Sequence, residues 1–185
     1  MKSEWSEWTR NVTDEFKSTP TEEIKQTLKD RAHSFAVLME QWKGDFNFST
    51  LIRNANAFNA SEVYYIGKKR WDRRGTVGTH HYTDINYLGD ELEGIKNYMA
   101  LKEKYTFVAI ENNPVNGCPV HSLNKFKWPK NPLMIFGEEG DGISWPVLAL
   151  VDEVVSIPQF GSVRSLNVGT ASGIIMNSWC EQHAW

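Results

Sequence analysis

Cysteine is scarce in this chain. Its 185 residues hold two, Cys118 and Cys180, far apart in sequence and at no metal-ligand spacing. With no export signal, they read as reduced thiols of a cytoplasmic protein. Long apolar runs are also missing; none approaches the roughly 20 residues that span a bilayer. Residues 1–10 lack a basic segment followed by an apolar one, so a secretory leader is not expected. No internal repeat and no low-complexity tract is present. A G-x-x-x-x-G-K-[ST] loop is absent, which excludes a P-loop. A dinucleotide fingerprint starting at Gly140 fails, because Trp145 takes the third glycine position. His80 and His81 are adjacent and point different ways, so no metal is expected. Glu138, Glu139 and Asp141 lack a distant second carboxylate, which sets acid–base hydrolysis aside. Finally, an excess of positive charge is lacking: the net charge is −3, which weighs mildly against nucleic-acid binding.

What is present fits one soluble globular domain, with 41% hydrophobic and 23% charged residues. Local charge matters more than the sum. Lys68, Lys69, Arg70, Arg73 and Arg74 cluster around Trp71, broken only by Asp72. Such a cluster suits phosphate contact, and Trp71 offers a stacking face for an unpaired base. His80 lies just downstream and is assigned to the same RNA-contact set.

The apolar pattern alternates between short runs and helical periodicity. Strands are predicted at 35–39, 63–66, 105–110, 133–136 and 154–157, with an extended piece at 82–88. Helices are predicted at 48–58, 90–104, 144–151 and 166–182. In the second of these, Leu92, Ile95, Met99 and Tyr98 are expected to be buried. Residues 111–131 read as a long polar segment with three prolines. This alternation predicts an α/β fold, a mostly parallel sheet with helices on both faces. Ahead of it, Trp5, Trp8, Val12 and Phe16 recur at helical spacing. Thr19-Pro20-Thr21-Glu22 resembles a capping box with proline at the first helical position, opening a second short helix with Ile24 and Leu28 on one face. Residues 1–31 are therefore expected to form a helical extension and 32–185 the main domain.

Chemistry concentrates in three places. Residues 157–176 run from a strand stopped by Pro158, through a small-residue loop with Ser165 and Asn167, into a glycine-bearing helix. Backbone N–H donors and a positive dipole end are available there. Residues 133–144 read L-M-I-F-G-E-E-G-D-G-I-S, a strand followed by a glycine loop with Gly137, Glu139 and Gly142. Residues 47–67 place Asn47 six residues before Arg53. In this order, these segments resemble the three motifs of the SpoU/TrmH methyltransferases. Asn59 stands where that family usually has glycine; asparagine tolerates the left-handed backbone better than most residues.

The resemblance implies a C-terminal trefoil knot of the SPOUT type and S-adenosyl-L-methionine as methyl donor. It further implies RNA (tRNA or rRNA) as substrate, ribose 2′-O-methylation as reaction, and a homodimer as the working unit. It points to Arg53, Asn47, Glu139, Ser165 and Asn167 as catalytic. Asn47 is expected to orient Arg53, and Glu139 to anchor the arginine or the ribose. Phe136, Gly137, Gly142, Ile157, Ser165, Leu166 and Asn167 are expected to hold the cofactor. The small residues Gly169 and Gly173, with an exposed Trp179, are expected at the dimer interface. Two alternatives stand beside this reading: a catalytically silent RNA-binding protein of the same fold, and an interaction protein docking through Trp5 and Trp8.

Overall fold

The computed structural model describes residues 10–43, 46–113 and 118–184. Seven strands form one sheet: β1 (Ala36–Gln41), β2 (Val63–Gly67), β3 (Ile85–Gly89), β4 (Thr106–Ile110), β5 (Val120–Ser122), β6 (Pro132–Phe136) and β7 (Glu153–Ser156). Their order is β3-β2-β1-β6-β4-β7-β5, and every pairing is parallel. The helices are α1 (Thr21–Asp30), α2 (Phe46–Ala57), α3 (Glu91–Ala100), α4 (Trp145–Leu148) and α5 (Val168–His183). Strand β5 lies inside the segment read as polar loop. It is three residues long, half-buried and at the sheet edge, so it carries no apolar run to betray it.

Central strands β1, β2 and β6 are buried along their whole length, as a parallel sheet covered on both faces requires. Alternate residues feed two cores. Val37, Met39, Met134 and Phe136 face Phe48, Leu51 and Ile52 of α2 and Ile175 and Met176 of α5. Ala36, Leu38, Leu133 and Ile135 share the other core with Tyr98 and Val147 from α3 and α4.

Three expectations need correction. In α3, Leu92 is 86% and Met99 53% exposed, while Gly94 and Tyr98 are buried. A Cβ on Gly94 would lie 2.7 Å from Ile66 and 2.8 Å from the Gly89 carbonyl. The missing side chain thus seats the helix on its Gly94–Tyr98 side, where the Tyr98 ring stacks on Phe107 at 4.5 Å. Trp179 is buried, at 3% exposure. It packs on Phe35 at 4.9 Å and His183 at 4.7 Å, and its indole N–H donates to Pro129 O at 3.0 Å. The capping box does not form: Pro20 occupies the cap position with no side-chain bond, and the Thr19 hydroxyl donates to Glu15 O at 3.5 Å.

Helix α1 buries Ile24 and is tied down where Asn59 Nδ2 donates to Leu28 O at 3.1 Å. Asn59 has φ +48°, the left-handed conformation its place in the first motif requires. Of the proposed N-terminal amphipathic helix, Trp5 and Trp8 lie outside the described residues. Its described part forms one 3-10 turn, Asp14–Phe16. Among the described residues, no helix is long and apolar enough to cross a membrane.

Candidate active site

The ends of β1, β4, β6 and β7 deliver the loops that follow them to one edge of the sheet, the usual ligand position in open α/β folds. Between these loops lies a cleft of about 410 Å³, within the range of small-molecule sites. Its wall includes Gly137, Gly142, Ile157, Ser165 and Leu166, five of the seven residues expected to hold a cofactor. Phe136 is the buried last residue of β6. Asn167 caps α5, accepting the N–H groups of Gly169 at 2.9 Å and Thr170 at 3.4 Å.

Glycine is indispensable at position 137. A Cβ there would lie 2.1 Å from Gly142 C, 2.3 Å from its oxygen and 2.4 Å from Ile143 N. All three are backbone atoms, so the loop closes only because position 137 has no side chain. Glu138 and Gly142 then exchange backbone bonds of 3.0 and 2.9 Å.

The motifs meet through three side chains. Asn47 Nδ2 donates to Glu139 Oε2 at 2.7 Å. Asn167 Nδ2 donates to Asn47 Oδ1 at 2.8 Å and reaches Glu139 Oε2 at 3.5 Å. One residue from each motif is thus joined in a hydrogen-bonded set at the cleft. Arg53 is not part of it. It is exposed on α2, and among the described residues it has no hydrogen-bond or ion-pair partner. Six residues separate it from Asn47, about 9 Å along a helix and on a different face. The expectation that Asn47 orients Arg53 is therefore corrected: Asn47 faces Glu139 and Asn167. Ser165 is exposed on the cleft wall.

Two buried carboxylates have a role the sequence reading did not give them: Glu138 was set aside there and Glu40 was missed. Glu138 Oε1 accepts the backbone N–H of Trp42 at 3.0 Å and that of Lys43. Glu40 Oε2 accepts the N–H of Ser144 at 2.6 Å. Together they fasten the β1–α2 connection to the glycine loop and so set the distance from Asn47 to Glu139. Lys43 Nζ adds a pair with Asp141 at 2.7 Å. Asn54 was missed too: its Nδ2 donates to Gly169 O at 2.7 Å and Ser172 Oγ at 2.9 Å, joining α2 to α5. The small-residue face of α5 is occupied by this packing. A Cβ on Gly169 would meet Thr50 at 2.6 Å, and one on Gly173 would lie 3.5 Å from Asn54. That face meets α2 of its own chain, so its small residues give no argument for a subunit contact. Glu111, Gln159 and Arg164 also line the cleft. A polar residue directly after a strand that ends at the same edge, as Glu111 does, was the available signal.

The basic cluster follows β2. Lys68, Lys69, Arg70, Arg73 and Arg74 are exposed. Arg74 is committed to Asp72 at 2.6 Å, and this guanidinium holds the Asp72 carboxyl below the usual range. Trp71 is half-buried against the core, edge-on to Phe48 at 5.3 Å, with Arg73 5.7 Å from its ring. The free stacking face expected of Trp71 is thus largely taken by its own chain. His80 Nδ1 bonds the Thr76 hydroxyl at 2.6 Å. Burial, then the nearby His81 and Arg73 charges, push its pKa down. Among the described residues, no group of His, Cys, Asp and Glu is placed to hold a metal.

Residues 34–177 match the SpoU rRNA Methylase family. The chain belongs to this family. It is 24% identical over 157 residues to the tRNA (guanosine(18)-2′-O)-methyltransferase of Aquifex aeolicus, covering 83% of this chain and 72% of that protein. It is 26% identical over 160 residues to the Escherichia coli protein of the same name, covering 83% and 66%. Among solved structures, the A. aeolicus TrmH/SpoU tRNA modifying enzyme superposes with a TM-score of 0.72 at 22% identity, over 89% of this chain and 82% of that one. AviRb from Streptomyces viridochromogenes, solved in complex with AdoMet, gives 0.69 at 20% identity, over 82% and 59%. These solved structures share the fold of this chain.

Proposed function

We propose that this SpoU-family chain transfers a methyl group from S-adenosyl-L-methionine to a ribose 2′-hydroxyl of tRNA or rRNA. The observation that carries the reading is the Asn47–Glu139–Asn167 set, one residue from each motif, at the rim of a glycine-walled cleft. The cleft fits the cofactor: at Gly137 and Gly142 its wall is bare backbone, and a buried Gln159 oxygen awaits a donor. Bound there, the cofactor supplies a methyl group already activated on a sulfonium, so positioning is the main task left to the protein.

In this reading Gly137, Gly142, Ile157 and Leu166 hold the cofactor, with Phe136 behind them. Glu139, fixed by Asn47 and Asn167, orients the incoming ribose, and Ser165 completes the wall. Arg53 grips the adjacent phosphate and stabilises the alkoxide as the hydroxyl loses its proton. A guanidinium stays protonated in proteins, so this electrostatic role suits it better than that of a base. Lys68, Lys69, Arg70 and Arg73 track the RNA backbone, with Arg74, Trp71 and His80 shaping the loop that presents them.

The family's homodimer and C-terminal knot belong to the same proposal, as do cytoplasmic residence and the division into a 1–31 extension and a 32–185 domain. A second subunit would bring RNA-side groups to Arg53, which its own chain leaves exposed. The test is incubation with methyl-labelled S-adenosyl-L-methionine and separated tRNA and rRNA fractions, followed by mapping of alkali-resistant linkages. Label in bases alone, or in no RNA, would overturn the reading.

A further inference from the structure

The cleft contains a polar atom that the chain leaves unpaired. Among the described residues, three buried side-chain atoms lack a hydrogen-bond partner: Gln41 Oε1, Asn86 Nδ2 and Gln159 Oε1. Of these residues, Gln159 alone lines the cleft. A buried acceptor left unmade is costly, and native proteins keep few of them. On the wall of a ligand site, such an acceptor matches a donor that arrives with the ligand. Gln159 stands just past Pro158 and two residues after Ile157. The wall also carries apolar Ile110, Leu166, Val168 and Ala171, while its acidic residues come from the loops after β4 and β6. A flat purine suits the apolar residues. The ammonium and sulfonium of the cofactor's amino-acid end suit the acidic ones.

We propose that Gln159 is a specificity-determining residue, its Oε1 accepting a hydrogen bond from the exocyclic amine of the cofactor's adenine. This rests on the cofactor reading above. In the amide orientation of this structure a 6-oxo purine places an acceptor against this acceptor, and it binds only once the amide turns over to offer Nε2.

The test is calorimetric titration of the full chain with S-adenosylhomocysteine and its inosine counterpart, S-inosylhomocysteine. Wild type prefers the adenosine form by about 10-fold or more. Gln159→Glu keeps an acceptor and has no N–H to turn toward a 6-oxo purine, so it keeps or widens the preference. Gln159→Leu binds the two ligands within about 3-fold of each other. Gln159→Ala, which adds no bulk, gives the same collapse and decides the matter if the leucine variant does not fold. Full preference retained in Gln159→Ala overturns the inference, as does equal loss of both ligands with the ratio unchanged. Wild type binding neither ligand overturns the cofactor reading itself, a different result from a wild type that binds both equally.

Discussion

Replacing Gly137 by alanine tests whether the glycine loop is as tightly closed as its geometry requires. The added methyl would sit 2.1 Å from Gly142 C, where real contacts stay above 3.0 Å. The intruded atoms are backbone, so no side chain can swing aside. Clearing the contact opens the Glu138–Gly142 bridge by roughly 1 Å and breaks its two hydrogen bonds, worth about 1 kcal/mol each. Overpacking of a closed site adds about 1–3 kcal/mol. The expected loss of stability is thus about 3–5 kcal/mol. With a urea m-value of about 2 kcal/mol/M, the midpoint should fall by about 1.5–2.5 M. The same displacement moves Glu139 away from Asn47, so cofactor affinity should fall by more than about 10-fold. Gly161→Ala is the control: a Cβ there meets nothing within 4 Å, and its midpoint should not move. Urea titration followed by tryptophan fluorescence reads both variants. If Gly137→Ala unfolds within about 0.3 M of wild type and binds S-adenosyl-L-methionine normally, the closed-loop argument is wrong.

Asn167→Ser keeps a cap for α5 but is too short to reach Asn47. Its melting temperature should stay near wild type while methyl transfer falls at least about 10-fold, whereas Asn167→Ala should also lose about 1 kcal/mol of stability. Arg53→Ala should abolish methyl transfer with cofactor affinity unchanged, and Arg53→Lys should be nearly as poor because an ammonium cannot copy the planar fork; near-normal turnover in both removes Arg53 from the mechanism. Val77 is half-exposed at φ +48°, a strained conformation for a β-branched residue. Val77→Asn should raise stability by about 1 kcal/mol, and a lowered urea midpoint would refute the strain. His80 has its pKa lowered by the fold, so the unfolded chain binds its proton first as pH drops. Its contribution is complete above the unfolded pKa near 6.5 and is lost as pH falls through the folded value. Urea midpoints at pH 7.5 and 5.5 should therefore converge in His80→Gln relative to wild type; an unchanged pH dependence would count against the shift.

Sequence alone determined the alternation of strands and helices, the parallel sheet and the three chemical segments. Continuous apolar runs such as 133–136 are short enough to read as strands buried on both faces, and glycine loops after strands mark the ligand edge. It also marked Asn59, whose left-handed backbone the structure bears out. What it missed depended on contacts between distant segments. Periodicity placed Leu92 and Met99 inside with Ile95 and Tyr98, because it cannot see that Gly94 lets α3 turn onto its Gly94–Tyr98 side. Trp179 read as an exposed aromatic, yet Phe35 and Pro129, some fifty residues away or more, bury it. The small face of α5 looked ready for a partner subunit, until Thr50 and Asn54 of α2 filled it. The same holds at the site. The family resemblance paired Asn47 with Arg53 on one helix, but the tertiary fold pairs Asn47 with Glu139 and Asn167 from two other loops. A local pattern reports which face of an element is apolar; only the packed chain decides which polar groups meet across it.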